Sequence, residues 1–240
     1  MPSVETLLVS GLVICLAAFV QSTTGFGFAL VAVPLLATLT DPQTAVVSVT
    51  TVSLLLSAWA GWRHRAAIDR AAMVSYTWTG LLGMPLGLLV LLVVASSTLT
   101  ILVGVVVLLA VTAMFFQVRV TGPRWQVVAG LLGGVLLTST GMNGPPIVIG
   151  LDARSLSPAR FRATLQAIFG LQGVVAVGLF AVSGLLDAHV AVLVAAYAVA
   201  LPLGWGLGSL VFGRLTPGAF RVGVLAMLTL SAIMALLTAR

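Results

Sequence analysis

The chain has 240 residues, 60% of them hydrophobic, with eleven basic and five acidic residues and a net charge of +6. A soluble fold carries about 25% charged residues; at 7% this chain could not cover a water-facing surface, and its mean hydropathy of +1.23 makes lipid the solvent for most of it. The basic residues are all Arg, stand at the ends of apolar runs and make no basic face, which excludes a nucleic-acid partner.

Apolar runs follow one another along the chain. The first, residues 4–21, lacks the basic leading region of a signal peptide and a clear cleavage site, so it is expected to remain as a membrane segment. Residues 26–39 form a short second run, 42–61 and 72–94 are full spans, and 99–117 is the fifth. A second series opens with 125–139 and the very short 145–151, and closes with 158–183, 189–211 and 217–239. The single Cys15 lies inside the first run, so no intramolecular disulfide can form, and it reads as a packed small hydrophobe. His64 and His189 fall at opposite membrane edges and cannot share a metal; no metal or cofactor is expected.

The second series repeats the first. At a shift of 116, Thr23-Thr24-Gly25 falls on Ser139-Thr140-Gly141, Leu35 on Leu151 and Pro42 on Pro158; at 117, Pro85-Leu86-Gly87 falls on Pro202-Leu203-Gly204. The units divide as residues 1–118 and 119–240 within one transmembrane domain. Five segments per unit is odd, so the second copy enters the membrane from the opposite side. With Arg63, Arg65 and Arg70 inside, Arg119, Arg124, Arg154, Arg160, Arg162, Arg214 and Arg221 are inside too, and only Arg240 is outside. That split predicts inverted repeats with both termini outside. The expected fold is an all-α polytopic membrane protein of two inverted five-segment repeats.

A full span needs about 20 residues, and the runs 26–39 and 145–151 fall short. Both follow helix-breaking sequence: Ser22-Thr23-Thr24-Gly25-Phe26-Gly27-Phe28, and Ser139-Thr140-Gly141-Met142-Asn143-Gly144-Pro145-Pro146. Two hairpins dipping to mid-membrane from opposite faces are therefore predicted. Irregular backbone at that depth must be buried in protein or line a cavity. A helix N-terminus offers unpaired N–H groups and partial positive charge, Gly admits close approach, and Ser and Thr add hydroxyls; two such tips facing each other suit an anion. Thr23, Thr24, Gly25, Phe26, Gly27, Ser139, Thr140, Gly141, Met142, Asn143 and Gly144 are the candidate binding residues. The competing reading is that these glycines only permit tight helix packing.

Thr50 and its repeat mate Gln166 lie well inside full spans, where a polar side chain should face protein or a cavity. They either line the substrate path or bond neighbouring helices. Arg162 either snorkels or steers the anion. Glu5, Asp41, Asp69, Asp152 and Asp187 all lie near segment ends, which argues against a carboxylate proton relay.

The stretch QSTTGFGFALVAVPLL at residues 21–36 resembles the first signature of the sulfite exporter TauE/SafE family, and GMNGPPIVIGLDARSLSPARFRATLQAIFG at residues 141–170 resembles the second. The similarity covers essentially the whole chain. It implies a bacterial cytoplasmic-membrane transporter of sulfite, sulfonates or related organic anions, and leaves substrate and direction open. The leading expectation is a secondary exporter of a small anion working by alternating access, with an anion channel or an uptake permease of the same fold as the alternative. An intramembrane enzyme is disfavoured because no His or carboxylate reaches the hairpins. A small anion and the lipid bilayer are the expected partners, and a homo-oligomer is left open.

Overall fold

The computed structural model describes residues 4–116, 120, 122–152 and 154–212. The expected segment 217–239, and with it Arg214, Arg221 and Arg240, lies outside the described residues, as does Arg119. Those described form nine α-helices: α1 (Val4–Thr24), α2 (Phe28–Leu36), α3 (Pro42–Arg63), α4 (Arg70–Val93), α5 (Ser96–Phe115), α6 (Pro123–Thr140), α7 (Gly144–Asp152), α8 (Pro158–Val182) and α9 (Ala188–Phe212). A 3-10 turn, Arg65–Ala67, leads into α4. No strand occurs among the described residues. Six of the helices are long and apolar enough to cross a membrane: α1, α3, α4, α5, α8 and α9.

The acidic residues help to start these helices. Asp41 accepts from the Thr44 N–H at 2.9 Å, Asp69 from the Ala72 N–H at 3.1 Å, and Asp187 from the Val190 N–H at 2.8 Å. Each satisfies one orphan donor of a first turn and sets a carboxylate at the positive end of the dipole. Pro42 and Pro158 occupy first-turn positions, where a missing N–H costs nothing.

The packing pairs α1 with α9, α4 with α6, and α3 with α8. Small residues make these approaches close, the usual device where lipid offers no hydrophobic drive between helices. A Cβ on Gly134 would fall on the Gly80 carbonyl, one on Gly83 on the Leu131 carbonyl, and one on Gly204 on the Cys15 carbonyl. The outward faces are aliphatic: Leu82, Leu86 and Leu89 on α4 and Val199, Leu203 and Leu207 on α9 are all exposed. At the Arg-bearing edge, exposed Trp62 lies under the Arg65 guanidinium, 5.0 Å from its ring centre.

Both expected breaks are present, and both are shorter than the sequence suggests. α1 stays helical through Thr24 and α6 through Thr140. The reason is local. The Ser22, Thr23 and Thr24 hydroxyls donate to the Phe19 or Val20 carbonyls, and those of Ser139 and Thr140 donate to Val135 and Leu136 at 2.7 and 2.8 Å. Bonded back to their own helix, they need no break to satisfy them.

Candidate functional site

The two breaks come together. The position a Cβ would take on Gly144 lies 3.5 Å from the Phe26 ring, and that on Gly141 lies 3.3 Å from Val33 and 3.9 Å from Ala29, both on α2. Each break turns on left-handed glycines: Gly25 (φ 85°) and Gly27 (φ 95°) in the first, Gly141 (φ 75°) in the second.

The two breaks satisfy their helix ends differently. α6 closes on itself: the Gly141 N–H donates to Leu137 O at 3.0 Å and the Met142 N–H to Leu136 O at 3.2 Å, so the left-handed Gly141 turns the chain back onto the last carbonyls of its own helix. The end of α1 takes its partners from α8. Gln166 Nε2 donates to the Gly25 carbonyl at 2.7 Å, and an Arg162 guanidinium nitrogen donates to the Ser22 carbonyl at 2.5 Å.

The start of α2 has no such partners. Gly27 caps it without a side chain, and the first backbone bond is from the Val31 N–H to Gly27 O at 3.2 Å. The N–H groups of Phe28, Ala29 and Leu30 belong to the unbonded first turn. All three residues line a cavity of about 30 Å³, room for roughly two waters. Its opposite wall is the second break, residues 141–144, and Gln21, Ser53, Ser57 and Phe169 complete the polar and aromatic lining. The start of α7 contributes fewer donors than α2, because Pro145 and Pro146 have no N–H. Asn143 adds a side-chain amide. Its Nδ2 donates to Gln172 Oε1 at 2.8 Å, and Gln172 Nε2 donates to Tyr76 O at 3.0 Å, which fixes the orientation of both amides.

A second, larger cavity of about 310 Å³ lies toward the Arg-bearing edge, lined by Ser22, His64, Arg162, Gln166, Trp205 and Ser209 among others. Gln21 lines the first cavity and Gln166 the second, and the two amides meet: Gln21 Nε2 donates to Gln166 Oε1 at 3.1 Å.

Of the residues singled out from sequence, Gly27, Gly141, Met142, Asn143 and Gly144 line the central cavity. Gln166 and Arg162 line the outer one. Thr23, Ser139 and Thr140 spend their hydroxyl protons on their own helices, while the Thr24 hydroxyl is shared between the Val20 carbonyl at 2.9 Å and the Phe26 carbonyl at 2.5 Å. Thr24 Oγ1 also accepts from the Phe26 N–H at 3.2 Å, holding the first break in shape. Gly25 offers its carbonyl to Gln166, and Phe26 packs on Gly144. Thr50 Oγ1 is buried with no hydrogen-bond partner among the described residues, 3.2 Å from the Cβ position of Gly141. Sequence reasoning missed Gln21. The rule that marked Gln166, an amide inside an apolar span, applies equally to it.

Among the described residues, nine packed helices, six of them able to span a bilayer, define a multi-pass α-helical membrane protein. The chain belongs to the sulfite exporter TauE/SafE family, whose model matches residues 10–235. That places it among membrane transporters of the sulfite type. No curated protein and no solved structure matches it.

Proposed function

We propose that the protein is a secondary exporter of a small anion, sulfite or an organosulfonate, across the bacterial cytoplasmic membrane, working by alternating access around the central cavity. The observation that carries this is the uncapped start of α2, whose first-turn N–H groups belong to residues lining a small cavity of mixed polar and apolar character. A helix N-terminus favours negative charge, and a cavity with room for only about two waters screens that charge weakly. Phe28, Ala29 and Leu30 supply backbone donors, Asn143 a side-chain donor, and Gly27, Gly141 and Gly144 leave room for the ligand against the backbone. Thr24 acts by shaping the first break.

The reading includes inverted repeats, divided at residues 118 and 119, whose two breaks meet at the membrane midplane. Its support is pairwise. Under the 116-residue shift the pair Gln166–Gly25 becomes Thr50–Gly141, and both pairs are in contact. Gly173 against Leu54 likewise becomes Ser57 against Gly170, and both contacts occur. The helix pair α4–α6 becomes α9–α1, and both are packed. Ten of the eleven Arg then face the cytoplasm.

The test is reconstitution in liposomes with a labelled-sulfite flux assay, run beside sulfoacetate, taurine and sulfate. Saturable flux of sulfite or a sulfonate is expected. If none of these anions moves and none raises the melting temperature, the assignment fails.

A further inference from the structure

Two cavities approach each other from opposite sides of one side-chain contact. The central one reaches Gln21 on α1; the larger one reaches Gln166 on α8. Between them Gln21 Nε2 donates to Gln166 Oε1 at 3.1 Å, with both side chains almost fully buried. We propose that this amide pair is the gate between the central cavity and the Arg-side vestibule, and that opening it exposes the Gln21 amide to the incoming or departing anion. The proposal rests on the transporter reading and names the residue pair that controls access to its site.

Geometry fixes the polarity of the pair. Gln166 Nε2 is held by the Gly25 carbonyl at 2.7 Å, so its Oε1 must face Gln21. Gln21 therefore presents a donor to Gln166, and Ser57 Oγ lies 3.5 Å from the same nitrogen. An anion can accept from the same Nε2 that Gln166 Oε1 now occupies. Opening then exchanges one hydrogen bond for another and leaves no buried donor unsatisfied. Gln166 stays anchored to Gly25, and Arg162 beside it holds the Ser22 carbonyl, so the end of α1 keeps its partners while Gln21 swings. Under the 116-residue shift Gln21 becomes Leu137 and Gln166 becomes Thr50, so the corresponding pair holds no amide, and the Thr50 hydroxyl is buried and unbonded among the described residues.

Site-directed thiol accessibility tests this without needing transport. Cys15→Ala removes the native thiol. Ser53→Cys places a thiol in the central cavity, and Ser209→Cys places a control thiol in the vestibule. An anionic, membrane-impermeant methanethiosulfonate is added to one face of sided proteoliposomes at a time. The cavity of about 30 Å³ is too small to admit the reagent until the gate opens. Removing the amide by Gln21→Ala or, independently, Gln166→Ala should speed modification of Ser53→Cys at least about five-fold, the change that loss of one ordinary buried hydrogen bond makes to an opening equilibrium. The increase should appear from the Arg-bearing face alone, with Ser209→Cys unchanged. Equal rates with and without the amides, an increase from both faces, or no reaction in any background each overturns the gate. Absence of sulfite flux with one-sided accessibility preserved overturns the transport reading and leaves the gate standing.

Discussion

Replacing Gly25 by Ala tests the construction of the first break most directly. Two terms add. Gly25 has φ 85°, and a left-handed conformation costs a residue with a Cβ about 1–2 kcal/mol. The new Cβ would also stand 2.9 Å from Cγ of Arg162. That side chain cannot swing away cheaply, because its guanidinium holds the Ser22 carbonyl. Forcing it aside adds about 1–2 kcal/mol, so Gly25→Ala should destabilise by about 2–4 kcal/mol. The second break supplies the comparison. Gly141 has φ 75°, and its Cβ would meet only side-chain atoms, at 3.2 Å from Thr50 and 3.3 Å from Val33. Gly141→Ala should lose mainly the dihedral term, about 1–2 kcal/mol.

Thermal unfolding in detergent, read by intrinsic tryptophan fluorescence, measures both. An Asn at Gly141 separates the terms, since Asn accepts the left-handed region and Ala does not. Gly141→Asn should therefore be the milder substitution. If Gly25→Ala is no more disruptive than Gly141→Ala, Arg162 is not held as described. If Asn and Ala are equivalent at Gly141, the backbone strain is not the operative term.

Three further outcomes are expected. In a double-mutant cycle, Gln21→Leu and Gln166→Leu should each destabilise, and the pair should cost less than the sum by about 0.6–1.5 kcal/mol, because removing both amides strands fewer donors; additive melting shifts would place the two amides apart. Gly134→Val should push α6 off the Gly80 carbonyl and abolish folded, monodisperse protein in size-exclusion chromatography, whereas Gly178→Val, where a Cβ meets nothing, should leave the elution profile unchanged. The carboxyl of Asp69 is held below its ordinary value of 3.8, first by the Ala72 N–H and then, against opposing desolvation, by Arg154 and Arg160. Its stabilisation is thus complete above that value and fades as pH falls through the lower folded one, so Asp69→Ala should lower stability by about 1 kcal/mol at pH 7 and by less in melts taken near pH 3.

How much of this was legible in the chain follows from what each residue type leaves open. The breaks were legible because Gly25, Gly27 and Gly141 interrupt apolar runs that are otherwise long enough to continue. The contacts of Gln166 with Gly25 and of Thr50 with Gly141 follow the repeat shift. The hydroxyls were not legible. A Ser or Thr in an apolar helix always has a carbonyl of its own preceding turn in reach, and Thr140 takes that bond at 2.8 Å. Pattern alone cannot say whether the proton goes there or to a ligand. Pro145 and Pro146 sit in the first turn of α7, where they deprive that turn of donors. The two helix starts are therefore unequal, with α2 the richer.

That inequality bears on the preference for an anion proposed above. Each break brings together the end of one helix and the start of the next, and these carry dipole charges of opposite sign. Left bare, the carbonyls of α1 and the N–H groups of α2 would offset each other. The chain resolves the conflict by capping only one kind of end. Gln166 and Arg162 take the carbonyls of Gly25 and Ser22, and α6 folds Gly141 and Met142 back onto its own. The start of α2 receives no side-chain cap. Charge preference then comes from which backbone groups are left unbonded, and a site can favour a negative ligand with no cationic side chain in its lining. In the proposed exporter Arg162 serves that preference from outside the central cavity, by holding the Ser22 carbonyl at the end that would oppose it.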